Sequence, residues 1–304
     1  MVDGWIILDK PLELGSTQGV AAVKRNLRQA GHGKVKVGHG GTLDPLATGV
    51  LPIAIGEATK LAGRMLDASK EYAFTVRFGE ETDTLDLEGK TIAVSDVKPT
   101  LDAVRVALGG FHGTIEQVPP AYSALMIDGQ RAYDRARAGE DVAMPTRTVT
   151  IHALTLESTE GPGEALEAMT LVAHVSKGTY IRSLARDIAR ALGTVGHVTM
   201  LRRLRAGPFG LGQAISLDKL NEVGKGAPLE HVILPLEAGL VDIPALDLDP
   251  EQARAVRQGR VLTGLPCRDG LFWARLGKVP VALVELSGGS LTVSRGFNLT
   301  DVAE

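Results

Sequence analysis

The 304-residue sequence has one cysteine, Cys267. One thiol excludes an internal disulfide, and no CxxC or HExxH pattern accompanies it. A reducing, cytoplasmic setting and no structural metal are therefore expected. No apolar run approaches the roughly 18 residues a membrane-spanning helix requires, so no membrane partner is expected. The opening Met1-Val2-Asp3-Gly4 lacks the basic start and apolar stretch of a signal peptide. Aromatic residues are scarce, at 4%. Any site that must stack a flat ligand therefore has few side chains to draw on.

The chain also lacks a large net charge. Its formal value is -3, which alone argues against a nucleic-acid partner. The distribution argues the other way. Lys177, Arg182, Arg186, Arg190, Arg202, Arg203 and Arg205 fall between residues 176 and 206, with Asp187 as the sole acid there. Lys24, Arg25, Arg28, Lys34 and Lys36 form a second basic stretch. Local charge decides where a phosphate backbone can lie. On this reading Arg186, Arg190, Arg202 and Arg203 contact phosphates.

Periodicity supplies the elements. Trp5–Leu8 reads as a strand, ended by Asp9-Lys10-Pro11. Ser16 is the expected N-cap of a helix carrying Val20, Val23 and Leu27 and closing at Gly31. Residues 38–45 read as an irregular loop, 50–55 as a buried strand and 57–66 as helical. Tyr72, Phe74, Val76 and Phe78 alternate with smaller or polar residues, the mark of a strand. Met169–Val175 alternates likewise, and Ile181, Leu184, Ile188 and Leu192 recur at helical spacing. No βαβ rhythm runs through these elements, so a mixed α/β fold with a largely antiparallel sheet is predicted. Two prolines between Asp242 and Pro250 suggest a linker. The predicted organisation is a domain over 1–243 and a small β-rich domain over 244–304.

Gly38-His39-Gly40-Gly41-Thr42-Leu43-Asp44-Pro45 places an aspartate on a glycine-rich loop before a buried strand. Pro45 pushes Asp44 out of the helical region. Spacing alone makes Asp44 a turn residue, as most loop aspartates are. No GxxxxGK[ST] occurs to make the loop a phosphate cradle.

The longer string, from Gly38 through Ala47-Thr48-Gly49-Val50-Leu51-Pro52, closely resembles the catalytic segment of the TruB family of pseudouridine synthases. Leu8-Asp9-Lys10-Pro11, Pro119-Pro120-Ala121-Tyr122-Ser123-Ala124-Leu125 and Ser176-Lys177-Gly178-Thr179-Tyr180-Ile181-Arg182-Ser183 follow in the family's order. Leu201-Arg202-Arg203 near Gly207-Pro208-Phe209 also resembles it. The resemblance spans roughly residues 4 to 215. Met126 departs from a frequent family lysine, and Gly31-His32-Gly33-Lys34 extends the approach to the loop.

The resemblance implies the pseudouridine synthase fold with a small C-terminal PUA-like β-barrel that binds RNA. It implies isomerisation of uridine 55 in the T-loop of tRNA, no cofactor and no metal, by a chain expected to act as a monomer. Asp44 matches the catalytic aspartate and Arg182 its cationic partner. Tyr72 matches the tyrosine against the flipped base, Tyr180 a second pocket tyrosine and Leu201 an apolar pocket residue. His39 matches a histidine near the flipped-out nucleotide, and Lys10 a lysine supporting the first catalytic loop. Two readings compete: a catalytically silent RNA chaperone, which has no need of Asp44, and a nucleotide-binding enzyme using the 38–41 loop.

Overall fold

The computed structural model describes residues 2–265 and 268–299. Cys267, on which the thiol argument rests, lies outside them. In chain order the elements begin with β1 (Gly4–Lys10), α1 (Ser16–Gln29), β2 (Val37–His39), β3 (Ala47–Ile55) and α2 (Ala62–Asp67). Next come β4 (Lys70–Phe78), β5 (Glu80–Thr82), β6 (Thr91–Val94), α3 (Leu101–Gly109) and β7 (Gly113–Gln117). A short β8 (Met126–Ile127), β9 (Gln130–Arg131) and α4 (Ala132–Arg137) lead to β10 (Arg147–Glu160), β11 (Ala168–Val175), α5 (Ile181–Ala191) and β12 (Gly196–Ala206). The remainder holds β13 (Phe209–Gly210), α6 (Leu217–Gly224), β14 (Ala245–Asp247), α7 (Pro250–Arg257), β15 (Leu262–Thr263), β16 (Gly270–Leu276), β17 (Val279–Ser287) and β18 (Ser290–Gly296).

Two compact units result. The first takes the chain up to Leu43, Val50–Leu66 and the part from Pro208 onward. The second takes Asp44–Gly49 and Asp67–Gly207.

In the second unit β12, β4, β11, β10 and β7 form an antiparallel ladder in that spatial order. Phe74 lies opposite both Leu171 and Leu201, which sets the inward row. The apolar stripe of α5, Ile181, Leu184 and Ile188, packs into this row with Val104 and Leu108 of α3. Full burial of each such side chain stabilises by about 1.5–3 kcal/mol. Ala47–Gly49 pairs in parallel with Leu201–Arg203. Gly49 permits this approach. Its φ is +99°, and a Cβ there would lie 2.2 Å from the Arg203 carbonyl oxygen.

In the first unit β2 runs antiparallel to β3, with His39 opposite Ile53. Trp5 of β1 is fully buried, and its indole donates to the Leu236 carbonyl at 3.1 Å. A five-stranded sheet in the order β14-β16-β17-β18-β15 closes on α7 around Leu246, Val256, Phe272 and Val284. Asp249 caps α7 by accepting from the Gln252 amide at 2.8 Å, with Pro250 at the first helical position. Among the described residues no helix is long and apolar enough to cross a membrane.

Three expectations are corrected here. Ser16 does not cap α1, because Gly15 holds that position. The hydroxyl of Ser16 bonds instead to both the amide and carbonyl of Leu43, at 2.8 and 2.9 Å. The stretch read as a linker contains β14, whose Ala245–Asp247 pairs in parallel with Trp273–Arg275. The loop over 38–45 begins inside β2.

Candidate active site

The site begins at the first turn of α5. Tyr180 is the N-cap residue, and the Gln117 side chain grips its backbone, accepting from the amide at 2.8 Å and donating to the carbonyl at 3.2 Å. Arg182 follows at the positive end of the helix. Its guanidinium has four partners. Nη1 donates to the Thr84 carbonyl at 2.8 Å and lies 3.2 Å from Asp86 Oδ2. Nη2 donates to the Tyr122 carbonyl at 3.0 Å and lies 3.0 Å from Asp44 Oδ2.

The two carboxylates differ in exposure. The Arg182 side chain is 7% exposed and that of Asp86 10%, whereas Asp44 is 44% exposed. Asp86 is the structural half of the arrangement. Its Oδ1 accepts from the Thr84 hydroxyl at 2.5 Å and the Glu88 amide at 3.0 Å. Leu85, just before it, has φ +63°. A leucine in the left-handed region costs about 1–2 kcal/mol, and such strain persists where surrounding bonds enforce it. Here the Leu85 amide donates to the Thr82 carbonyl and its carbonyl accepts from Val198, both at 3.0 Å. Asp44 is the half left open to a ligand.

A small cleft opens beside this ion pair. Asp44, Asp86 and Arg182 supply its charge, and Leu46, Leu87, Met200 and Leu201 much of its apolar wall. Polar groups converging in an apolar pocket are the usual form of a ligand site.

Of the predicted residues, the structure brings Asp44, Arg182 and Leu201 together in the cleft. Tyr72 packs half-buried against the core beneath it, opposite Arg203. Tyr180 carries the Arg147 guanidinium over its ring at 5.5 Å. Neither tyrosine lines the cleft. Lys10 and His39 belong to the first unit. Lys10 is fully buried and donates to the carbonyls of Pro11 and Leu14 at 3.0 and 2.6 Å. His39 stands at the end of β2, with its Nδ1 3.4 Å from the Gly41 amide. Gly40 packs where a Cβ would meet Met65 Cβ at 2.6 Å.

The basic stretch is corrected. Arg203 is only 1% exposed, so it offers no surface cation. Arg190 bonds Glu81 at 2.8 Å, and Arg186 bonds Asp187 and the Val118 carbonyl. Arg186 is thus largely enclosed, whereas Arg190 stays exposed beside its acid. Sequence reasoning missed Asp86, although Thr84-Leu85-Asp86 repeats the Thr42-Leu43-Asp44 string. Among the described residues no group of three or more His, Cys, Asp or Glu could hold a metal ion.

Comparison with known proteins shows the family. A family model described as TruB family pseudouridylate synthase (N terminal domain) matches residues 24–181. A second, described as tRNA pseudouridylate synthase B C-terminal domain, matches 182–241. A tRNA pseudouridine synthase B of Novosphingobium aromaticivorans is 81% identical over the whole of both chains. Another, from Zymomonas mobilis, is 58% identical and covers 97% of this chain and 96% of its own. Among solved structures, a chain of a Cbf5-Nop10-Gar1 complex aligns with TM-score 0.71 at 27% identity, covering 97% of this chain and 84% of that one. A chain of an H/ACA RNP bound to a substrate RNA containing 2'-deoxyuridine aligns with TM-score 0.70 at 26% identity, covering 98% and 86%. The fold is thus the mixed α/β fold of pseudouridine synthases, and the five-stranded sheet is consistent with a small PUA-like domain.

Proposed function

The chain belongs to the TruB family of pseudouridine synthases, and from that premise we propose that it isomerises uridine 55 in the T-loop of tRNA with Asp44 as its catalytic residue. The observation that carries this reading is the half-exposed Asp44 carboxylate, held 3.0 Å from a buried Arg182 at the mouth of a cleft. The reaction breaks the bond between uracil N1 and the ribose and remakes it to C5, with N1 gaining a proton and C5 losing one. A carboxylate serves this either as nucleophile or as base. Both roles require it to face the reacting nucleotide in a fixed orientation. Arg182 supplies the orientation, and its charge offsets the cost of covering Asp44 once RNA expels water.

The uridine must leave its stack to reach Asp44, at a cost of a few kcal/mol. We assign Leu201 and Tyr72 to recover part of it, with Tyr180 and His39 as further nucleotide contacts. Lys10 supports the turn over 11–14 that precedes α1. We divide the chain into a catalytic domain over 1–243 and an RNA-binding domain over 244–304, acting as a monomer on the T-arm in the cytoplasm.

Incubating unmodified tRNA with the purified chain and mapping pseudouridine by position tests the assignment. Product at position 55 is expected. Asp44→Asn should bind tRNA and form none. Full activity in Asp44→Ala would overturn the catalytic role and favour a different chemistry.

A further inference from the structure

Leu87 and Met200 are large apolar side chains that line the cleft yet stand 59% and 38% exposed. Local backbone features enforce both exposures. Asp86 Oδ1 accepts from the Glu88 amide, which closes a tight turn over Leu87. The strained Leu85 sets the direction of that turn, so Asp86 reaches Arg182 and Leu87 is left on the outside. On β12 the register slips between Val198 and Met200: Val198 lies opposite Val76, and Met200 opposite Thr75. This bulge breaks the alternation of a regular strand, so Val198, Thr199, Met200 and Leu201 all line the cleft. Val198 is buried, whereas Met200 is exposed.

The charged groups of the cleft bind one another, through Arg182 to Asp44 and Asp86. The surface left for the flat faces of a pyrimidine is apolar. Exposed apolar side chains gathered around a polar centre mark a surface that a ligand covers. A thioether chain adapts its shape to such a ligand.

We infer that Leu87 and Met200 form an apolar rim that closes on the extruded uridine, replacing the stacking the base loses and keeping water from Asp44. This rests on the reading of the cleft as the uridine site. Neither residue takes part in bond making; each acts by contact with the nucleotide.

The test uses the full chain with Leu87→Ala, Met200→Ala, the double variant, and Leu87→Met as the conservative replacement. Single-turnover rates are measured at saturating unmodified tRNA, together with tRNA Kd and Tm. The double variant should lose about tenfold in rate, with Kd changed less than about twofold and Tm lowered only slightly, because both side chains are partly exposed in the free protein. Leu87→Met should retain nearly the full rate. A double variant as fast as the wild type overturns the inference, and so does a rate loss matched by an equal loss of affinity or stability. A wild-type chain that forms no pseudouridine overturns the underlying reading as well.

Discussion

Asp86 fixes Nη1 of Arg182 at 3.2 Å and so leaves Nη2 to a second carboxylate, that of Asp44 at 3.0 Å. One acid is anchored by the fold and the other is open to a ligand, and a single guanidinium joins them. Asp86→Asn keeps the shape and removes the anchoring charge. It should lower the rate of pseudouridine formation about tenfold or more and stability by about 1–3 kcal/mol. Initial rates and a urea unfolding curve measure both effects. An Asn variant with the wild-type rate would show that the anchor is dispensable.

Gly49→Ala places a Cβ 2.2 Å from the Arg203 carbonyl oxygen at a φ of +99°. Both the strand pairing and the backbone angle oppose it. A loss of about 2–4 kcal/mol is expected in the unfolding free energy from urea curves. Gly63→Ala, in α2 with open space around it, serves as the control and should be neutral or stabilising by up to about 1 kcal/mol.

Arg203→Ala separates a buried cation from a phosphate contact. A side chain 1% exposed contributes to the fold, and its removal leaves its partners unsatisfied. Stability should fall by about 2–4 kcal/mol. The slope of log Kd for tRNA against log salt should stay unchanged. A slope reduced by about one would identify Arg203 as a phosphate contact after all.

His174 carries a pH dependence. Burial, then the charges of Arg205 and neighbouring His152, hold its pKa below the ordinary 6.5, while Glu71 pulls the other way. The folded state therefore binds this proton less tightly than the unfolded state. The resulting stability is complete above about pH 6.5 and is lost as pH falls below it. Thermal melts should show a smaller drop in Tm from pH 7 to pH 5 in His174→Gln than in the wild type. An equal drop in both would remove His174 from the acid response.

The loop that carries Asp44 was legible because a long string fixes Asp44, Pro45 and the glycines together. The ladder of β4, β11 and β12 was legible as far as alternation reached, since Phe74 and Leu171 sit where period two puts them. Asp86 was not legible. In an acid-rich stretch such as Glu80–Glu88, nothing in composition separates the carboxylate that meets Arg182 from its neighbours. Ser16 misled for a related reason: a hydroxyl at a helix start can serve the helix or a distant loop, and Leu43 lies 27 residues away. The basic stretch misled because a count of charges carries no depth, and Arg203 faces inward.

The slip in β12 has a consequence for how this segment tolerates change. Substitutions from Thr199 to Leu201 alter one side chain each. Removing Thr199 would restore simple alternation and still leave Met200 opposite Thr75 and Leu201 opposite Phe74. The row of Phe74 would keep Leu201, and the cleft would lose the part of its wall that Thr199 supplies. A change in the number of residues here is therefore expected to reshape the cleft and to spare the core.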